Sequence, residues 1–214
     1  MIDKEMIIEE FEHGNCRVRI IQDDEPMSPR DATNLGIMLA INHRNYVLGD
    51  AEFKRNVPEW DAACAGFNEL GGRLGDFPAW AKENLGASVV LPLWLYDHSG
   101  LAMSTGSFAM DAAGWDSGIV GFIFDTPRTR EECGTPEDRI EEVLKGEVET
   151  YDAFLRGSAV GYLVETMKGG ACGHENCPEH QGWEHVDSCW GYLIVNDEEM
   201  EYVRSEARFA AEHA

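Results

Sequence analysis

Apolar residues along the chain recur in two rhythms. Steps of two, or short unbroken apolar runs, mark strands, and steps of three and four mark helices. Residues Asp3 to Glu12 are expected to form a short helix with Met6, Ile7 and Phe11 on one side, stopped by Gly14. Cys16 to Gln22 alternates Arg17 and Arg19 with Val18 and Ile20, which predicts a strand. Pro26, Pro29 and several aspartates make Asp23 to Asn34 a loop, and Leu35 to Ile41 is an apolar run that fits either a buried strand or a short stretch of buried helix. From Pro58, the residues Trp60, Cys64, Phe67 and Leu70 fall on one helical face closed by Gly71 and Gly72, and Trp80 and Leu85 belong to a second, shorter helix.

The strand signals then thicken. Ser88 to Tyr96 is continuously apolar, and Ser99-Gly100 precedes another extended run, Leu101 to Phe108, so the pair is expected to form a hairpin with Pro92 at an edge or bulge. Gly118 to Phe124 is a third strand of that region. Pro136 to Arg156 is expected to be a helix, with Thr135 as its cap and Pro136 at its first position. Its apolar stripe is Ile140, Val143, Leu144, Val148, Tyr151, Phe154 and Leu155, and Gly157 ends it. Ser158 to Thr166 and His185 to Val195 are paired strands, and Asp197 to Ala211 is a terminal helix. Together these elements predict an α+β fold: a single domain over residues 1–214, a largely antiparallel sheet covered by helices on one side, and a Cys/His-rich loop insertion at 169–184 forming a hairpin tip.

Charge narrows the function classes. The chain has 214 residues with 40 Asp and Glu against 17 Lys and Arg, a formal charge of -23. Nucleic-acid binders need a cationic footprint to release counterions from phosphates, so direct nucleic-acid binding is excluded. No apolar run reaches the roughly 18 residues of a membrane span. The first residues carry neither a basic stretch nor a cleavable apolar core, so the expected location is the cytoplasm. Six cysteines there are expected as thiols or metal ligands.

Two constellations carry candidate chemistry. In the first, Cys172, His174, Cys177 and His180 lie within nine residues, a donor set suited to a tetrahedral structural zinc, with His185 or Cys189 able to replace one of them. The competing reading is a polar hairpin tip with incidental Cys and His. In the second, Asp97 and His98, with Ser104 on the returning strand and Asp116 in Trp115-Asp116-Ser117-Gly118, supply the parts of an acid–base or nucleophilic site. Adjacent strand residues point to opposite faces, so the competing reading is turn chemistry. Ser188-Cys189-Trp190 resembles the surroundings of a papain-type nucleophile only superficially, because no downstream histidine at the required distance follows, and Cys189 is expected to pack on the sheet face. Phosphate-binding loops, HExxH and GxGxxG after a strand are not found.

The strings LYDHSG, WDSGIVGFIF, GEVETYDAFLRG, GYLVE and DSCWGY, in that order, resemble a family of small acidic proteins carried by bacterial phages, prophages and mobile elements. The resemblance spans Leu35 to Tyr192 and implies a cytoplasmic accessory protein that acts during infection or element transfer, a common role being to block a host defence enzyme. The Cys172–His180 segment departs from the short turn of that family, so zinc chemistry is not part of what the resemblance implies. Carboxylates and tryptophans (Trp94, Trp115, Trp183, Trp190) together suit a face that binds a basic protein. The expected partner is a basic nucleic-acid-processing host protein, bound non-enzymatically. Candidate contact residues are Glu137, Asp138, Glu141, Glu142, Glu147, Glu149 and Asp152 on one helix and Asp197, Glu198, Glu199 and Glu201 on another. The alternative function is a hydrolase or small-ligand-binding protein using Asp97, His98, Ser104 and Asp116.

Overall fold

A computed structural model describes residues 6–41, 43, 46–53, 57–168 and 182–214. The fold is α+β, with two four-stranded antiparallel sheets where the sequence pattern predicts one. The chain divides into two compact units, residues 28–156 and residues 1–27 with 157–214.

In residues 28–156 the sheet is built from β3 (Ile37–Ala40), β4 (Val90–Asp97), β5 (Leu101–Ser104) and β6 (Ser117–Phe124), in the order β3-β6-β4-β5. Strand β3 has every residue buried because both of its faces are covered. Ile37 and Leu39 join Phe122 and Phe124 against α1 (Pro58–Glu69) and α2 (Phe77–Asn84), with Phe77 stacked on Phe122 at 5.0 Å between ring centroids. Met38 and Ala40 join Leu93, Val120 and Ile123 against Ile140, Leu144, Val148 and Tyr151 of α4 (Ile140–Leu155). Helices therefore cover both faces of this sheet, not one. Pro92 is accommodated because β5 pairs only with Trp94–Asp97, leaving one side of β4 unpaired at Pro92, and a register shift follows between Leu93 and Trp94.

Two features of this unit differ from the sequence pattern. A short helix, α3 (Pro127–Cys133), follows β6, capped by Thr126 with Thr129 returning the bond and closed by Gly134 in the left-handed conformation. The expected cap at Thr135 is absent: a 3-10 turn over Glu137–Arg139 leads into α4, which has no side-chain cap at its start.

The other unit has the order β1-β2-β7-β8, with β1 (Ile7–His13), β2 (Cys16–Gln22), β7 (Ala159–Lys168) and β8 (Gly182–Leu193), and one face is covered by α5 (Asp197–Glu212). The predicted N-terminal helix, in the part that lies among the described residues, is a strand over Ile7–His13. Ile7 and Phe11 are four residues apart, a spacing that fits a helix turn and an even strand step alike, and pairing with the strongly alternating β2 decides between them. Val18, Ile20, Val160, Tyr162 and Val164 pack against Val203, Ala207 and Ala211. Arg17 and Arg19 lie on the other face, both bound to Glu165 Oε2 at 2.6 and 2.5 Å, and Arg17 stacks over Trp183 at 4.3 Å.

Candidate functional site

The loop between β5 and β6 is organised by one carboxylate. Asp111, at the end of a 3-10 turn, accepts the Trp115 N–H at 3.0 Å on one oxygen, and the Asp116 N–H at 2.9 Å and the Ser117 hydroxyl at 2.8 Å on the other. These bonds, first that of Ser117 and then that of Trp115, hold the Asp111 carboxyl below its ordinary pKa. Gly114, at φ 67°, supplies the left-handed residue the tight turn needs. The consequence is a projecting apolar pair: Trp115 is 87 % exposed and Met110 79 %.

Two further acids, Asp97 and Asp116, belong to the same end of the sheet. The Asp97 N–H donates to the Asp116 carbonyl at 2.8 Å, which ties the end of β4 to the loop. Asp116 Oδ2 stands 3.3 Å from His98 Nδ1, and Asp97 accepts the Tyr46 hydroxyl at 3.0 and 3.1 Å, a bond that raises the Tyr46 pKa. Ser99, at φ 61°, turns the chain between β4 and β5. Thus Asp97, His98 and Asp116 do come together, with His98 and Asp116 facing each other and the Asp97 carboxylate engaged by Tyr46.

Ser104 does not join them. It pairs with Trp94, three residue pairs from the Asp97–Leu101 pair, about 10 Å along the strand at about 3.3 Å per residue. Its hydroxyl accepts the Gly106 N–H at 3.1 Å, and the Ser117 hydroxyl is committed to Asp111. His98 and Asp116 keep side-chain exposures of 61 and 42 %, so the pair works in water and not in an enclosed site.

The acidic helix residues separate into two groups. Glu147 is turned inwards: it accepts Arg30 Nη1 at 2.9 Å, the Leu35 N–H at 2.7 Å and the Gly36 N–H. Arg30 is buried and also donates to both oxygens of buried Asp50, which in turn accepts the Met38 N–H at 2.7 Å. Asp152 accepts the Met103 N–H at 2.8 Å and pairs with Arg156 at 2.7 Å. Glu199 closes the α5 capping box with Asn196. These three carboxylates make bonds that hold the fold. Glu137, Asp138, Glu149, Asp197 and Glu198 are exposed, and Glu141, Glu142 and Glu201 are exposed beside Lys145, Arg139 and Arg204.

A cavity of about 230 Å³ lies beside the Arg30 network, lined also by Arg128 and Glu132. Its guanidinium groups are already engaged, Arg30 as above and Arg128 with Glu59 and Glu132, so they offer little to an incoming anion. Cys172, His174, Cys177 and His180 lie outside the described residues. His185 bonds Ser188 at 3.2 Å on the sheet face that carries Glu165, whereas Cys189 pairs with Tyr162 on the α5 side, so the two candidate replacement ligands point apart. Cys189 is exposed, not packed as expected. Among the described residues no group of three or more His, Cys, Asp or Glu is placed to hold a metal, and no helix is long and apolar enough to cross a membrane.

Met110, Asp111 and Tyr46 are not singled out by sequence patterning. Asp111 carries a weak signal, an aspartate just ahead of a Gly-Trp-Asp-Ser turn, where a short carboxylate bonds nearby backbone N–H groups. No family model, curated protein or solved structure matches the chain.

Proposed function

We propose that this chain is a non-enzymatic accessory protein that binds a basic surface of a nucleic-acid-processing protein, in competition with nucleic acid, and that the Trp115 loop is its anchor. The observation that carries this reading is Trp115, 87 % exposed on a loop that the Asp111 carboxylate holds in place. A pre-organised indole enters a partner's pocket without a large ordering cost, and Asp97, Asp111 and Asp116 around it favour a cationic rim. The charge of -23 steers such a partner toward the chain and disfavours direct contact with phosphates. The resemblance to phage and mobile-element proteins supports a host defence enzyme as the partner and the host cytoplasm as the setting. The test is affinity capture from bacterial lysate with wild type, Trp115→Ala and Asp116→Lys at low and high salt. Wild type should retain a basic protein that nucleic acid displaces, and each variant should weaken retention roughly tenfold or more, as loss of an anchor does. Retention unchanged by either substitution and by salt would contradict the reading.

The 3.3 Å contact between His98 and Asp116 favours a second reading, a hydrolase or small-ligand site at the same place. It requires turnover of activated esters or amides that His98→Ala abolishes; turnover unaffected by that change removes it. For the 169–184 segment, the spacing of Cys172, His174, Cys177 and His180 supports one structural zinc. Elemental analysis of protein grown in zinc-replete medium should then find about one zinc per chain, lost in Cys172→Ser/Cys177→Ser.

A further inference from the structure

A groove of about 390 Å³ opens on the sheet face beside α5, and its lining includes Tyr162 of β7, Val186 and Asp187 of β8, Glu206 and Phe209 of α5, and His213. That volume lies in the range of small-molecule sites. The Tyr162 ring is part of the core, stacked on Tyr192 at 6.2 Å between centroids, and only 6 % of the residue is exposed. The Tyr192 hydroxyl bonds Cys189, whereas the Tyr162 hydroxyl makes no hydrogen bond to a described residue. A polar group buried to that degree ordinarily has a partner. Burial first, then the charge of Asp187 and more weakly that of Glu206, raise the Tyr162 pKa, so a neutral hydroxyl stands beside two carboxylates. Those carboxylates have no ion-pair partner among the described residues. Asp187 accepts the neighbouring Ser188 N–H at 2.8 Å, and the α5 cations Arg204 and Arg208 bind Glu9 and Glu201 instead of Glu206. Phe209, 61 % exposed, adds an apolar wall, and His213 is fixed beside it, its Nδ1–H donating to the Phe209 carbonyl at 2.8 Å with the rings 4.2 Å apart.

We propose that this groove binds a short linear aliphatic diamine as its dication. One ammonium group donates to the Tyr162 hydroxyl oxygen, the carboxylates of Asp187 and Glu206 supply the counter-charge, and the methylene stem lies against Val186 and Phe209. A primary ammonium has three N–H donors and no acceptor, which matches an unused hydroxyl oxygen and two carboxylates that offer acceptors alone. The face of an exposed ring such as Phe209 also attracts a cation. Other ligands fit less well. A quaternary ammonium would leave the hydroxyl unpaired, and an anion would meet both carboxylates. A metal ion would find only these two, since no group of three or more donors is placed to hold one among the described residues. A lysine side chain of a partner protein carries the same headgroup but one charge against two carboxylates, so the free dication is the better match. The site is on the other unit from the Trp115 loop and stands or falls separately from it.

The experiment is a titration of the full chain with putrescine, the four-carbon diamine, followed by backbone amide NMR in about 0.15 M sodium chloride, where diffuse charge attraction is screened beyond about 8 Å. One saturable site is expected, with amide shifts at 162, 186–189 and 206–213. Butylamine, Nα-acetyl-lysine methylamide and the fully N-methylated bis-quaternary diamine are each expected to bind about tenfold more weakly. Tyr162→Phe keeps the buried ring and the net charge and removes only the hydroxyl, and it should lower putrescine affinity about fivefold. Asp187→Asn and Glu206→Gln should each lower it about tenfold, and they keep the test decisive if the core variant fails to fold. Glu83→Gln, an exposed acid on the other unit, should change nothing. Putrescine that does not saturate, or that loses affinity equally in Glu83→Gln, would be a diffuse counterion and would overturn the proposal. So would unchanged affinity in a folded Tyr162→Phe. A lysine analogue that binds as tightly as putrescine would assign the groove to a partner's side chain and overturn the diamine as its ligand.

Discussion

Glu147 and Glu149 stand two residues apart on α4 and do opposite things. Glu147 completes a buried cluster with Arg30 and Asp50, and Glu149 faces solvent. Removing one member of such a cluster leaves an uncompensated charge in low dielectric, so Arg30→Met should destabilise the protein by about 3–5 kcal/mol. Chemical denaturation of Arg30→Met, Glu147→Lys and Glu149→Lys should show large losses for the first two and a change within about 0.5 kcal/mol for the third. Asp111 makes a pH prediction. Its carboxyl is held below the ordinary value by bonds made only in the folded loop, so it binds fewer protons folded than unfolded. The loop's stabilisation is therefore full above the ordinary aspartate pKa of about 3.9 and is lost as pH falls through the depressed value. The Trp115 indole signal, followed by NMR, should hold steady down to about pH 4 and broaden or shift below it; Asp111→Ala should show the acid-type signal at neutral pH. An Asp111→Ala spectrum identical to wild type would contradict the role given to that carboxylate.

At the scale of elements, close approach decides more than propensity. Gly66 in α1 lies under Trp80 of α2, and a Cβ there would fall 2.1 Å from the indole. Gly66→Ala, which ordinarily strengthens a helix, should instead cost about 1–3 kcal/mol by forcing the two helices apart. A thermal melt of the variant at or above the wild-type midpoint would show that the contact yields freely. The same scale explains what can be read from the chain. Both edges of α1 and α5 and the end of α4 are legible because their apolar residues recur at helical spacing and Gly71, Gly72 and Gly157 close two of them, whereas the start of α4 lies four residues beyond Pro136, after a 3-10 turn. Strand β3 is not separable from a helix by pattern alone, since burial on both faces erases alternation. The identity of β1 depends on its partner β2, which no local pattern contains. Helix α3 carries its own start and stop, Thr126-Pro127 and Gly134, but at seven residues it has no periodicity to announce it. Of the candidate site, Asp97, His98, Trp115 and Asp116 are legible as motif residues, whereas the roles of Asp111 and Tyr46 arise from turns that only the folded chain brings together. The inward turn of Glu147 is hidden for the same reason, because its partner Arg30 is 117 residues away.

For the molecule as a whole, 40 acids outnumber 17 cations, which leaves a large excess of negative charge. Their mutual repulsion should weaken the fold at low ionic strength, where screening extends over about 30 Å at 0.01 M against about 3 Å at 1 M. The thermal midpoint should therefore rise with added sodium chloride, and a falling midpoint would mean that the exposed ion pairs outweigh the repulsion. Salt should act in the opposite sense on the proposed partner, which it should release, so that the same ions stabilise the free chain and dissolve the complex. The central claim, that the Trp115 loop anchors a basic protein, is tested most directly by a photo-reactive amino acid placed at position 115 and, as control, at exposed position Glu83. Illumination in bacterial lysate at low salt should join position 115, and not position 83, to one basic protein, with the cross-link lost at high salt or on adding excess nucleic acid. Equal labelling from both positions, or a position-115 adduct indifferent to salt and nucleic acid, would contradict the account.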